Sequence, residues 1–491
     1  MKNTLLIFGL LTILFYSCKK EEKIDKNYEN EILLKDSTYY YSFLISLWTD
    51  KIPEPSMLSE DEIDLKKYTN KFNDAEAVLT DLKKNYMPDD RFSFIDREKS
   101  VSTQIGQGVF KETGVNPIYL LDSENSSNAN LYIKFVQKGS PADRAGLVRG
   151  MKILSINGDN KVDFNSGRSN GHKLFYKFYS GETLKLEVLT VDNKTSTITV
   201  TGSDYKMNPI KLSSIINLND KKVGYLAYSS FISVTTQNQP NSYYQDLINN
   251  FKTYETAGID ELVVDLRYNG GGSTETAELL ANLIAPKTAN KDKMYDYQIN
   301  RYLTAWGWND PKNTSAPFLP VYFNKTNQLD LQRVYFLVTE STASASELVI
   351  NVLRPYMDVQ IISTQNMGTY GKPVGYFALP VVNGYADLYI TSFKMTNKAG
   401  FGDYFQGLSG TKKNANESFS LQLGDSNEGL LNEALYHINF DTYRTLSASA
   451  SLKKSTKTKD KYIIEQAGQP KDLYKIGMYK FSKQFLPNVP H

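Results

Sequence analysis

The chain is short of histidine and cysteine. It has three histidines, His172, His437 and His491, and one cysteine, Cys18. A single thiol cannot close an intramolecular disulfide. There is no His-Glu-x-x-His and no cysteine–histidine cluster, so the common zinc-ligand patterns are missing and no metal or other cofactor is expected. None of the histidines lies in a glycine-rich loop, which leaves a Ser-His-Asp triad without its base. Charge of one sign is not in excess either. With 56 basic and 54 acidic residues, a general electrostatic grip on nucleic acid is not expected. The segment "RYNGGGST" has neither Gly-x-x-x-x-Gly-Lys-[Ser/Thr] nor Gly-x-Gly-x-x-Gly, which argues against a nucleotide site.

What is present points to several folded units. A chain of 491 residues is too long for one core, and roughly two to four domains are expected. Its apolar content of 41% fits a folded protein, and tyrosine is abundant, at 34 residues. The apolar run Leu5–Tyr16 is too short for a comfortable membrane span but suits a secretory signal, which sets residues 1–18 apart from the fold. The charged "KKEEKIDKNYENE" then reads as an unfolded tether over 19–33. Residues 34–98 carry helical spacing, broken at Pro53 and Pro55, with Asp74 as an N-cap and no catalytic constellation. Short strands fill 99–206, among them "NLYIKFV", "MKILSING" and "LKLEVLTV". Strands alternate with helices over 210–446, implying a sizeable α/β core. The polar, lysine-rich stretch 447–491 is expected to be a tail that packs weakly or not at all.

Two serine-rich stretches compete for a chemical role. In "VYFLVTESTASASELVINVL" a buried-type strand, Val334–Val338, turns through Thr339–Thr342 into a helix. That helix begins at Ser344, with Leu348, Val349, Val352 and Leu353 on one face and Pro355 closing it. A serine there sits beside free N–H groups and the positive end of the helix dipole, a placement that can stabilise an oxyanion. Helix capping by Ser341 or Thr342 explains the same residues. The near-copy "LSASAS" at 446–451 has no apolar helix face behind it and reads as a flexible polar segment. With histidine scarce, lysine is the remaining candidate base. "GTYGKPVGY" places Lys372 in a loop after the strand Val359–Ser363, with no acidic neighbour in sequence. Burial would lower its pKa and leave a fraction neutral; a solvated loop lysine is the plainer alternative.

Family resemblance sharpens these readings. The block "IGQGVF … YIKFVQKGSPADRAGLVRGMKILSINGDN" resembles a PDZ domain. In that likeness the loop Ile105, Gly106, Gln107, Gly108 and Val109 would present N–H groups to a peptide C-terminus, and the adjoining strand edge would pair with the peptide. An internal clamp with no peptide of its own is equally compatible. "DLRYNGGG", "STASASE" and "GTYGK", in that order behind such a block, are similar to the C-terminal processing peptidases, or tail-specific proteases, which are Ser–Lys enzymes. The resemblance implies a multidomain α+β protein with an N-terminal helical region, a PDZ-like β-rich domain and a crotonase- or ClpP-like α/β peptidase core. It maps the nucleophile to Ser344 and the general base to Lys372, with Ala345 and Gly271 supplying oxyanion-hole N–H groups. The family has Gly-x-x-Gln after the lysine; here "KPVGY" puts Tyr376 at the glutamine position, where it is a candidate to orient the amine. The gap from Ser344 to Lys372 is also a few residues longer than in the family. A sole cysteine after a signal core resembles the lipid acceptor of a bacterial lipoprotein, with an incidental thiol as the alternative. The Lys-Lys-Glu-Glu that follows resembles the export signal of Bacteroidetes surface lipoproteins. Together these imply a peptidase of protein substrates, held at an envelope membrane through lipidated Cys18, in the outer membrane on its periplasmic or outer face. The missing glutamine motivates a second reading, a peptide- or ligand-binding lipoprotein on the same fold.

Overall fold

The computed structural model describes residues 26–59, 62–122, 127–364, 368–444, 462–463 and 477–480. The chain begins with helix α1 (Lys26–Ile45), which packs on α2 (Ala75–Asn85). Asp74 caps α2, its carboxylate accepting from Ala77 N–H at 2.7 Å. The start of α1 corrects the expected tether over its described part, 26–33. Glu31 accepts from Ala75 N–H at 2.9 Å and pairs with Arg97 at 2.8 Å, so one of the charges that suggested a solvated segment is tied into the fold.

A second unit follows. Strand β1 (Val109–Glu112) precedes an antiparallel sheet of β2 (Val115–Leu121), β3 (Asn130–Val136), β4 (Lys152–Ile156), β5 (Thr183–Leu189) and β6 (Thr195–Thr201), paired in that order. The short helix α3 (Pro141–Arg144) is capped by Ser140. The sheet has its own apolar core, built on Leu131, Ile133, Ile153, Phe178, Leu186 and Val188. Strand β1 stays outside this sheet and pairs with β7 (Ser203–Lys206).

The main core is a five-stranded sheet ordered β8 (Ile210–Leu218), β9 (Lys221–Tyr228), β10 (Glu261–Asp265), β13 and β14, the last two defined below. β8 is antiparallel to β9; all other pairs are parallel. Helix α4 (Ser242–Ala257) crosses from β9 to β10 and ends on Gly258, whose φ of 63° suits a left-handed cap. The chain continues through β11 (Gly271–Ser273), α5 (Thr274–Ile284), β12 (Lys293–Ile299), β13 (Arg333–Val338), α6 (Ala345–Leu353) and β14 (Asp358–Ser363). Parallel strands buried on both faces read as near-continuous apolar runs, which the interiors "LVV" of "ELVVD" and "VYFLV" of "RVYFLV" provide. Leu262, Val264, Val334, Phe336 and Val338 face one core, while Val263, Tyr335 and Leu337 face the other. That second face is covered by α7 (Gly429–Phe440) through Leu430, Leu431, Ala434, Leu435 and Ile438. Each such fully buried aliphatic side chain contributes about 1.5–3 kcal/mol.

A third, mixed sheet flanks the strand ends. It orders β11, β17 (Gly477–Lys480), β15 (Val374–Phe377), β16 (Phe393–Asn397), β12 and a short strand at Val321–Tyr322. The presence of β17 corrects the expected weakly packed tail. Met478 and Tyr479 are fully buried, pointing into two different apolar clusters. Two further tail residues, Tyr462–Ile463, pair antiparallel with β2. Among the described residues no helix is long and apolar enough to cross a membrane.

A buried ionic network joins Arg149 of the second unit to residues of the main core. Arg267 pairs with Asp265 and Glu428 at 2.8 Å each, and Arg149 of the second unit pairs with Glu417 at 2.8 Å. All are nearly inaccessible, so each charge depends on its partners. Arg267→Ala would leave three carboxylates against one arginine. It is expected to cost about 3–5 kcal/mol, read as a lower midpoint in chemical denaturation; an unchanged midpoint would show the network to be dispensable.

Candidate functional site

The site forms where β10 and β13 end, outside the carboxyl edge of the parallel strands, the usual place for ligands in such sheets. After β13 the turn is pinned to the neighbouring strand's loop. Thr342 Oγ1 donates to Leu266 O at 2.7 Å, and Ala343 N–H donates to Asn269 O at 3.1 Å. Ser344 then takes the N-cap position of α6 with φ 63° and ψ −110°, a conformation that costs a non-glycine residue on the order of 1–3 kcal/mol. The capping role expected of Ser341 or Thr342 therefore falls to Ser344's position, while those two shape the turn. Ser344 is completely buried, and its Oγ makes no hydrogen bond.

Glu347, one turn into α6, holds this geometry. One carboxylate oxygen accepts from Ser344 N–H at 2.7 Å and Lys372 N–H at 2.8 Å; the other accepts from Gly371 N–H at 2.7 Å and from the Thr369 hydroxyl. Serine and lysine backbones are thus fastened to one buried group. Burial pushes the Glu347 carboxyl above its usual range, against the pull of these four donors.

Lys372 is 1% exposed. Its amine donates to the Tyr376 hydroxyl, which in turn donates to Phe92 O at 2.8 Å. The amine also lies 4.9 Å from the centre of the Phe92 ring and 4.2 Å from that of Tyr376. Burial pushes its pKa well below the ordinary lysine value, outweighing the opposing charges of Asp90 and Glu347. Asp90 fixes the Phe92 carbonyl by accepting from Phe92 N–H at 3.1 Å and Ser93 N–H at 2.9 Å.

The glycine turn completes the cluster. Gly271 and Gly272 have φ of 106° and 142°, and a Cβ on Gly272 would lie 2.1 Å from Phe231 O, so no other residue fits. A Cβ on Gly271 would lie 3.0 Å from Ala345 N, which places the two expected oxyanion-hole residues side by side. Ala345 N–H, in the first turn of α6, has no intrahelical acceptor. Gly271 N–H, by contrast, donates to Asn269 Oδ1 at 2.9 Å.

Ser344, Lys372, Tyr376, Gly271 and Ala345 therefore meet in one place. The loop Ile105–Val109 opens β1. Ile105 O accepts from Ser233 N–H at 2.7 Å and Gly108 O from Met207 N–H at 3.0 Å. The loop borders a groove with Ser233, Thr235, Asn241 and Tyr243. Cys18 and the "LSASAS" segment lie outside the described residues. His172 and His437 pair with the Tyr119 and Tyr335 hydroxyls, not with Ser344. Sequence reasoning missed Phe92 and Asp90, which come from the N-terminal region where no constellation was expected. It also gave no role to Glu347, although the glutamate of "STASASE" was a visible signal.

Residues 222–407 match the model of peptidase family S41. The chain carries an S41 peptidase domain. It is 24% identical over 242 residues to carboxyl-terminal-processing peptidase 3 of Arabidopsis thaliana chloroplasts, covering 49% of this chain and 42% of that one. A CtpA-like serine protease of Staphylococcus aureus is 26% identical over 256 residues, covering 50% and 42%. The chain thus spans less than half the length of these curated relatives. Among solved structures, a Bacteroides fragilis S41 protease superposes with a TM-score of 0.62 at 26% identity, covering 83% of this chain and 97% of that one.

Two measurements probe the site. Glu347→Gln puts an NH2 group among N–H donors, and the resulting displacement of Ser344 or Lys372 is expected to lower kcat about 10²-fold with little change in KM. Tyr376→Phe frees the amine and is expected to lower kcat while shifting the ascending limb of the pH profile. An unchanged pH profile in Tyr376→Phe would remove the tyrosine from the site's chemistry.

Proposed function

We propose that the protein is a serine endopeptidase in which Ser344 is the nucleophile and Lys372 the general base. The observation that carries this is a fully buried serine at a helix N-terminus whose backbone shares one carboxylate with a buried, pKa-depressed lysine. Ser344 Oγ attacks the scissile carbonyl as the neutral amine, turned from Tyr376 toward Oγ, takes the proton. Negative charge develops on the carbonyl oxygen beside Ala345 N–H and the positive end of α6. A glycine-turn N–H joins it once the Gly271–Asn269 bond is shared. The protonated lysine then gives its proton to the leaving amine, and water deacylates the serine by the reverse sequence.

The five-stranded second unit is read as PDZ-like, taking or gating an extended peptide at its edge. The core is read as crotonase- or ClpP-like, and the whole as lipid-anchored through Cys18 at a bacterial envelope, acting on protein substrates. One observation favours the binding-protein alternative: Ser344 Oγ makes no hydrogen bond to the amine. An acyl-serine probe separates the two, since only the peptidase gives an adduct on Ser344.

The mechanism is tested by substitution. Ser344→Ala and Lys372→Ala are each expected to lower cleavage of an unfolded protein by at least about 10³-fold, whereas Ser449→Ala leaves it unchanged. Because only the neutral amine is a base, kcat/KM rises with pH through the Lys372 pKa, with its midpoint well below the ordinary lysine value. An active Lys372→Ala enzyme would overturn the Ser–Lys assignment.

A further inference from the structure

The last described strand occupies a position that the catalytic reading leaves unexplained. β17 lies between β11 and β15 and runs parallel to both. Gly271 faces Gly477, Gly272 faces Met478 and Ser273 faces Tyr479; on the other side Gly375, Tyr376 and Phe377 face Met478, Tyr479 and Lys480. One neighbour carries the oxyanion-turn glycine and the other the hydroxyl that holds Lys372. A four-residue segment from beyond the core thus fills the gap between the two halves of the site.

Its fit is specific. The point where a Gly271 Cβ would lie is 2.6 Å from Gly477 O and 3.0 Å from Ala345 N, so the carbonyl of the tail and the expected oxyanion donor border the same spot. The Tyr479 ring packs 5.5 Å from Tyr376 and 5.4 Å from Tyr389. At Gly477 a Cβ would meet the Tyr376 ring at 2.8 Å and the strand's own Tyr479 ring at 2.7 Å, so a side chain there must displace a ring. Ser344, meanwhile, is fully buried. A protein substrate must lay an extended backbone beside the glycine turn to bring its carbonyl to Ser344, and that edge of β11 is already paired. The same tail also adds Tyr462–Ile463 to the edge of β2, the manner in which extended peptides dock on exposed sheet edges.

We propose that the slot between β11 and β15 is a binding site for an extended peptide strand, with glycine beside Gly271 and an aromatic residue two positions on, and that residues 477–480 are its competing ligand in cis. The catalytic consequence rests on the peptidase reading; the occupancy of the slot does not. Tethered to the core, the segment acts at high effective concentration, so a substrate binds only by displacing it. Tyr479 leaves with the strand and Tyr376 stays on β15, so the lysine keeps its hydroxyl partner.

The test uses a fluorescent peptide of residues 474–482, YKIGMYKFS, and chains carrying Ser344→Ala. The peptide is expected to bind a chain ending at Ile476 and the full chain with Gly477→Val, whose side chain expels the strand, but not the otherwise unaltered full chain. In enzymes that keep Ser344, ending the chain at Ile476 is expected to lower KM for an unfolded protein by about tenfold, and added peptide restores it without changing kcat. Binding to neither form, or equally to all, overturns the proposal, as does an unchanged KM. Should the shortened chain fail to fold, a folded Gly477→Val chain that binds no peptide overturns it as well and makes β17 a permanent strand. Loss of cleavage in every form would count against the peptidase reading, while peptide binding still decides the slot.

Discussion

Four hydrogen-bond donors converge on one buried carboxylate, Glu347, and the candidate site is assembled around it. The donors come from the first residue of the α6 turn and from the loop Thr369–Lys372 beyond β14. A charge so far from water would cost several kcal/mol without partners. The carboxylate therefore needs both segments in place, and each segment is located by the carboxylate. This also accounts for the backbone of Ser344. A positive φ at a non-glycine residue persists only where surrounding bonds over-determine it, and the N–H of that residue is one of the four donors.

The lysine depends on a second, weaker arrangement. Its amine sits among Phe92 and Tyr376, where desolvation works against the ammonium form. Opposite charges at Asp90 and Glu347 act the other way and lose. Tyr376 accepts from the amine and donates to Phe92 O, so the hydroxyl does what a side-chain amide at that position could do: accept from the lysine while bonded elsewhere. A phenol on a strand has less freedom than a glutamine. Its place is fixed by packing against Phe94, Tyr389 and Tyr479, one use of the chain's many tyrosines.

The parts legible in the sequence were those with local signals. Val334–Val338 followed by Ser344 and an apolar face could be read as strand, turn and helix because each step changes the hydrophobic period. Tyr376 drew notice by standing where a different residue was expected. Phe92 could not be found this way, since the bond to Tyr376 joins residues 284 positions apart. β17 was lost for a related reason: four residues between lysine-rich neighbours show no alternation long enough to read, and both faces are buried only because two clusters already exist there. The loop Ile105–Val109 carries a demand that its motif did not show. A Cβ on Gly108 would lie 2.2 Å from the Tyr243 hydroxyl, so packing requires a glycine there.

The glycine turn joins stability to chemistry. On one side Arg267 and Tyr268 enter the buried ion network, where Tyr268 accepts from Arg149 of the second unit at 2.5 Å. On the other, Asn269 accepts from Ala343 N–H through its carbonyl and from Gly271 N–H through its side chain, and donates to Tyr228 O at 2.9 Å. Five consecutive residues thus connect the second unit, the ionic core and the nucleophile's turn. Rigid packing transmits small shifts instead of absorbing them. A change in how Arg149 seats against Tyr268 therefore acts within three residues of Gly271.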